Sequence, residues 1–555
     1  MRRACFGLVL VSCNAIFGIE PGEPIPAAGG GGGGISVGGA GAAGEGAGAG
    51  GSGGASCVDG EPCYSGDPRT LVPTSNCRQG TWQSCETAPT CGGEILPSAE
   101  DFAVAGDENC DGLPRGELEL GLQIDARVQV SCSVTPDGGL LIAGSAYSIS
   151  DLDGSPPPEL PFLDGTAFVA KFDAAGGFLW HYAFSDPTRN ELTSEIPIVL
   201  VPDDQGGAVV FLVPRQGASV VGDLVLQGDG IQIVNLSPTG EATLVGYVPV
   251  ASGTNPVITD VVRTADGGYV AVGTFAQSTL DLSPIGPLGN PDTDPDAVVI
   301  KFSSTFIVEA AKRYGGASGI VQSGLAAASR GDELYVAGIS SGTLSAGGLG
   351  NICFGTDCTW LLRLNDVDLV ELWAAEARGR AALVDVSASA DGVASLSRLN
   401  GDTTLRPAVG ADVDISSAQG TTLAWQLGVN GAHQWSFQFS QGSAPADDRA
   451  ALHGTPTGPL VFATFGGTSS VGNETINADA PSDVAFVKVD ANGGLEYVKH
   501  FPGVGAQRSM ALSAVQDDRS WALFSNGGTV DIGFGEFADD NGSSEPQLIL
   551  TKLVP

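Results

Sequence analysis

From about Glu117 to the last residue the chain repeats itself, and that periodicity constrains the fold more than any other feature. One marker is a short apolar stretch centred on Phe172, Leu236, Phe302, Leu364, Leu427, Val489 and Leu553, seven positions spaced 62 to 66 residues apart. Lys171, Lys301, Arg363, Lys488 and Lys552 each stand immediately before one of these positions. Gly176, Gly240, Gly431 and Gly493 follow four residues later, and an aromatic comes soon after (Trp180, Trp373, Trp435, Tyr497). A second marker, a turn between apolar runs, keeps step with the first: Asp137-Gly138, Gln205-Gly206, Asp266-Gly267, Gly331-Asp332, Asp391-Gly392, Thr457-Gly458 and Asp517-Asp518.

The third copy is the clearest. Residues 258–264 and 269–273 read as strands about a hairpin turn at Asp266-Gly267-Gly268, and 296–302 and 307–311 as the third and fourth strands. Four short antiparallel strands repeated seven times predict an all-β fold, a seven-bladed β-propeller, because so apolar a sheet buries both faces only against its neighbours. This part resembles the propeller repeats of about sixty residues found in exported bacterial proteins. The last copy stops after its third strand, while residues 118–124 form a spare apolar run ahead of the first. The expectation is that 118–124 completes the last blade and closes the ring. The cations before the third-strand marker are read as blade-edge charges that discourage mispairing.

The N-terminal part has a different character. Arg2 and Arg3 precede a short apolar run, and Leu10-Val11-Ser12-Cys13 resembles the lipobox of bacterial lipoproteins. The resemblance implies a signal peptide over 1–12, lipidation of Cys13, and attachment to the membrane through acyl chains alone. Asn14 after the cysteine favours the outer membrane. Residues 13–56 are read as a disordered tether, since their Gly, Ala and Ser cannot bury enough apolar area to offset chain entropy. A coil of this kind spans roughly 30 Å.

Residues 57–116 hold Cys57, Cys63, Cys77, Cys85, Cys91 and Cys110, the pattern of a small module that depends on disulfides. Six cysteines allow 15 connectivities, and spacing does not choose among them. Cys353 and Cys358 suggest a separate local clip. The run from Cys63-Tyr64-Ser65-Gly66 to Cys85 resembles a cysteine module of exported bacterial lipoproteins. Glu100 to Gly112 resembles the acidic metal-binding motif of the same proteins, with Phe102 where they carry a cysteine. Asp107, Asn109 and Asp111 followed by Gly112 also match the opening of an EF-hand loop, although Leu118 stands where the twelfth-position Glu belongs. They read either as a Ca²⁺ site or as a plain acidic turn.

A net charge of −38, from 63 acidic and 25 basic residues, excludes nucleic acid as a partner. His181, His433, His453 and His500 fall at different phases of the repeat and form no evident metal set. Asp292, Asp294 and Asp296, and Asp151 with Asp153, are further acidic loops, read mainly as solvated. The leading expectation is therefore a lipid-anchored, non-enzymatic binding protein of the cell envelope with a protein or glycan ligand. One alternative is a propeller hydrolase or lyase acting on an extracellular polymer. Its mark would be titratable groups clustered at the axis, where the first strands offer Val199, Asp260, Asp385 and small residues. A second alternative is a Ca²⁺-dependent adhesin.

Overall fold

The computed structural model describes parts of residues 58–96 and most of residues 118–553, the longer gaps in the latter being 125–129, 147–165, 185–197, 215–219, 250–255, 443–449, 515–519 and 538–546. Cys13, residues 26–56, Cys57, Asp107, Asn109, Cys110, Asp111, Asp151, Asp153 and Asp292 lie outside the described residues. The chain divides into two compact units, with the boundary between Arg115 and Gly116.

In the smaller unit, Pro62–Cys63, Gly80–Gln83 and Thr90–Gly92 form a three-stranded sheet. Its outer strands are joined by the Cys63–Cys91 disulfide, and Cys77 and Cys85 are also disulfide-bonded. Ser65 donates from its backbone N–H and its hydroxyl to the Glu94 carboxylate, both at 2.7 Å.

The larger unit is all-β; among the described residues its helical structure is limited to one 3₁₀ turn, Gly347–Leu349. The described strands form antiparallel sheets in which sequential strands are neighbours. The third copy gives Val257–Arg263, Tyr269–Phe275, Asp296–Phe302 and Val308–Tyr314 in that order. Six such sheets follow one another, with first strands Val130–Val134, Ile198–Pro202, Val257–Arg263, Gln322–Arg330, Ala381–Ser389 and Ala450–Thr455. In a seventh, Gln507–Ala514, Ser520–Asn526 and Gln547–Leu553 are joined by Leu118–Ile124, whose Gly121 faces Thr551. The first strand of each sheet lies beside the first strand of the next, and the seventh lies beside the first.

The core sits between the sheets. Phe168, Leu140 and Phe172 of the first sheet pack with Trp521, Leu523 and Leu550 of the seventh. Val209, Phe211 and Ile233 of the second pack with Tyr269, Ile300 and Phe302 of the third. Phe501 of the sixth stacks on Phe524 of the seventh, Phe462 meets Phe524 edge-on, and Phe486 packs against both Phe462 and Phe501. Each sheet thus removes its neighbour's faces from water, at roughly 25 cal/mol per Å² of apolar surface.

The repeat markers become contacts between sheets. Gly240 and Gly431 adopt positive φ (85° and 80°) in turns between third and fourth strands. A Cβ on Gly240 would come 2.9 Å from the ring of Trp180, and one on Gly431 would come 3.1 Å from the ring of Trp373. The same rings donate their indole N–H groups to carbonyls of those turns: Trp180 to Pro238 at 2.7 Å, and Trp373 to Val429 at 2.9 Å. The aromatic of one sheet is therefore seated on the glycine turn of the next.

The cations before the third-strand marker do not sit on an edge. Third strands are interior to their sheets, and Lys171, Lys301 and Lys488 are almost wholly buried. Lys301 donates to Asp266 at 2.8 Å, Lys171 to the Gly206 carbonyl of the following sheet at 2.6 Å, and Lys488 to the Gly458 carbonyl at 2.6 Å. A long cation whose stem lies along apolar strands and whose head reaches a turn carbonyl ties that turn down.

Two outer edges are protected in a way the repeat does not announce. Thr403–Arg406 and Val413–Ile415 form a hairpin from the fifth copy that pairs with the outermost strand of the fourth sheet. Thr468–Val471 and Glu474–Asn477 extend the fifth sheet in the same manner. Exposed strand edges invite pairing with other chains, and these hairpins occupy two of them.

Candidate functional site

First strands of successive sheets lie side by side, so side chains at equivalent registers on them can be compared. In the third sheet a β-bulge between Ile258 and Asp260 inserts one residue and places Asp260 opposite Val272. In the fifth, a bulge between Leu383 and Asp385 places Asp385 opposite Leu396. The corresponding registers elsewhere hold Ser131, Val199, Ala326, Ala451 and Ala511. Bulges re-aim side chains, and here they deliver two carboxyl groups at one phase of the repeat.

Both carboxyls are bound in the same way. Asp260 accepts the N–H of Val261 at 2.8 Å through one oxygen and, through the other, the N–H of Ala327 on the next sheet at 2.8 Å. Asp385 accepts Val386 and, across to the next sheet, Leu452, each at 2.7 Å. Asp260 is 2% exposed and Asp385 0%. Burial pushes the Asp260 carboxyl well above the usual carboxylate range; the Ala327 N–H pulls against this, and the charge of Asp385 adds to the rise. Neighbouring hydroxyls lace the same strands: Thr259 donates to the Gly324 carbonyl at 2.8 Å, and Ser387 accepts the Gly454 N–H at 2.8 Å.

The histidines do not converge. His181 belongs to the first sheet, where it stacks on Phe178 with ring centroids 5.9 Å apart, and His433 to the fifth. His453 lies on the first strand of the sixth sheet, where burial, aided by the nearby Lys488 charge, lowers its pKa to about 4. His500, on the fourth strand of that sheet, has Nε2 3.0 Å from Asp483.

Asp296 is not a solvated loop residue. It opens the third strand of its sheet, is buried, and pairs with Arg313 at 2.7 Å. The Gln322 amide, oriented to satisfy both of its ends, donates to Asp296 at 2.9 Å from the next sheet. Asp483 pairs with His500 in the sixth sheet, and the Ser482 carbonyl accepts the backbone N–H of Gln507 from the seventh at 2.8 Å, as the Pro295 carbonyl accepts that of Gln322 at 2.9 Å. The alternation of Asp292, Asp294 and Asp296 conceals that the last belongs to a strand and already has a cation.

Cys353 and Cys358 form a disulfide, and Cys132, buried on the first strand of the first sheet, is disulfide-bonded as well. The clip has a further partner invisible in the sequence: Glu376, which accepts the Cys353 N–H and pairs with Arg378 at 2.6 Å.

No family model matches the chain, and no curated protein matches it. Similar solved structures include a polysaccharide lyase (TM-score 0.39, 9% identity, covering 79% of this chain and 99% of the other). The α-L-arabinofuranosidase of Fusarium graminearum gives 0.33, 10%, 78% and 98% by the same measures. The acylaminoacyl peptidase of Pyrococcus horikoshii gives 0.35 and 10%; 74% of this chain is covered but only 52% of the peptidase, about half its length. The neighbours are of propeller type, and the three named are enzymes. The expectation of a non-enzymatic binding protein is accordingly corrected.

Proposed function

We propose that the larger unit is a closed seven-bladed β-propeller and that it acts as a hydrolase or lyase on an extracellular polymer. The circuit of first strands and the pairing of Leu118–Ile124 with Gln547–Leu553 support the closed ring. The Asp260–Asp385 pair carries the chemical reading. Cleaving a glycosidic or similar C–O bond calls for an acid that keeps its proton near neutral pH and a base that does not. Burial holds the Asp260 carboxyl well above the usual carboxylate range, which suits it to the acid, and Asp385, at the same register two sheets on, is assigned the base. In the form described both carboxyls are occupied by strand N–H groups, so substrate engagement exchanges those contacts for contacts to the polymer. The lipid anchor on Cys13 and the tether would hold the propeller at the outer membrane, clear of the lipid surface.

The test is a screen of neutral and acidic polysaccharides that follows new reducing ends for hydrolysis and new unsaturated products for elimination. Wild-type protein is expected to cleave at least one polymer. Asp260→Asn and Asp385→Asn should lose roughly 10²–10⁴ of that rate; since each carboxyl accepts two N–H groups, one per oxygen, the amide turns its NH2 on one of them, so rates are compared at a temperature where circular dichroism shows each variant folded. Activity that survives both substitutions would overturn the assignment of these residues. Failure to cleave any polymer would overturn the enzymatic reading.

A further inference from the structure

In the third and sixth sheets a carboxylate opens the third strand (Asp296, Asp483) and a basic side chain lies across from it on the fourth (Arg313, His500). The fourth sheet inverts this order. Cys358 stands at the carboxylate's register, and Glu376 stands where the basic residue would be. Cys353, five residues before Cys358, completes the group. Both sulfurs and a Glu376 carboxylate oxygen lie within 4.8 Å of one another, and all three residues are buried. Arg378 at 2.6 Å and Arg406 at 3.6 Å, the latter from the hairpin that covers this sheet's edge, neutralise the carboxylate. The group lies directly beneath the surface: Phe354, next to Cys353, is exposed, and the Arg378 guanidinium sits over its ring at 5.3 Å.

We infer that this cluster is a thiol-gated site for a borderline-soft divalent cation of the Zn²⁺ type, closed by the disulfide and opened by its reduction. Two electrons and two protons from two molecules of a small thiol convert the Cys353–Cys358 bond into two thiols, and the two reductant molecules leave joined as their own disulfide. A cation then displaces both thiol protons and is held by two thiolates and the Glu376 carboxylate, with a fourth, tetrahedral position open to water. Thiolate donors select Zn²⁺-like ions over Ca²⁺ or Mg²⁺. Three negative ligands against a divalent ion leave one negative charge, which the two guanidiniums already in place offset. Arg378 and Arg406, bonded to the carboxylate from outside, orient it in the manner of outer-shell partners.

The test uses the full chain, reduced with a phosphine under exclusion of oxygen and titrated with Co²⁺. The readouts are thiolate-to-cobalt charge-transfer absorption and bound metal per chain. Because the other disulfides are reduced too, the comparison is with C353S/C358S under identical conditions. Reduced wild type is expected to bind one more Co²⁺ per chain than the double variant, and the oxidised proteins should not differ. Glu376→Gln should weaken that one site at least tenfold. If C353S/C358S loses its circular-dichroism signature, Cys358→Ser serves in its place with the same expected deficit. Equal stoichiometry in wild type and variant, or unchanged affinity in Glu376→Gln, would overturn the proposal.

Discussion

Replacing Gly240 by Ala should be among the most costly single-methyl additions outside the core, and the structure divides its cost into two parts. Gly240 has φ of 85°, where an L-residue pays roughly 1–2 kcal/mol. The new Cβ would also lie 2.9 Å from Cδ2 and 3.0 Å from Cγ of Trp180. Those atoms are at the base of the indole, whose N–H is fixed to the Pro238 carbonyl at 2.7 Å, so the ring cannot swing clear. Overpacking of this kind costs about 1–3 kcal/mol, giving a total of roughly 2–5 kcal/mol. Gly286 is the internal control, with φ of 100° and nothing within 4 Å of its Cβ position, so Gly286→Ala should show the backbone part alone. In a Trp180→Ala background Gly240→Ala should likewise fall to the backbone part, leaving a coupling energy of roughly 1–3 kcal/mol. Guanidinium denaturation followed by far-ultraviolet circular dichroism reads all four proteins without dependence on Trp180 fluorescence. Equal costs for Gly240→Ala and Gly286→Ala, with no coupling to Trp180, would show that the ring is not seated on the turn and refute the latch.

Three further outcomes follow from buried groups. Asp266, although partly buried, is lowered to about 2 by hydrogen bonds from Lys301, Thr264 and the Gly268 N–H. Its folded pKa is below the unfolded value of 3.8, so its contribution is present above pH 3.8 and is lost as the pH falls towards 2. Lys301→Met should flatten that limb of a stability–pH profile measured by thermal unfolding. His453, lowered to about 4, binds its proton more weakly in the folded state than in the unfolded one. Stability should therefore fall by about 3 kcal/mol as the pH drops from 6.5 to 4, and His453→Leu should remove that slope in denaturant titrations at fixed pH steps. Arg313→Ala strands the buried Asp296 carboxylate and should cost roughly 3–5 kcal/mol in the same titrations; Arg313→Lys should recover part of the loss.

The periodic part of the fold was legible because its signals are local. A hairpin turn such as Thr264-Ala265-Asp266-Gly267-Gly268 carries its own geometry: Asp266 accepts the Gly268 N–H at 3.0 Å, and Gly267 takes φ of 79°. The third copy's strands lie within a few residues of the runs read from the sequence. What stayed hidden depends on neighbours from other copies. A lysine before an apolar marker looks the same whether its strand is an edge or an interior one, and only the sheet order shows that Lys301 must be tied down. The covering hairpins are two-to-one-turn pieces such as Thr403-Thr404-Leu405-Arg406, too short to outweigh a loop reading until the edge they pair with is known. Asp260 and Asp385 could be placed near the axis from the repeat. The way they are held could not, because it depends on bulges and on N–H groups contributed by Ala327 and Leu452, about one full repeat downstream.

The claim beneath all of this is that the ring closes on itself through a strand from before the first repeat. Backbone hydrogen exchange at single-residue resolution across 118–124 and 547–553 tests it most directly, since the register pairs Leu122 with Leu550 and Ile124 with Leu548. Protection of both segments, lost together at 547–553 when 118–124 is deleted, is the predicted result. Rapid exchange at 118–124 beside an undisturbed Gln547–Leu553 strand would mean that the seventh sheet ends without it, and the closed ring would have to be abandoned.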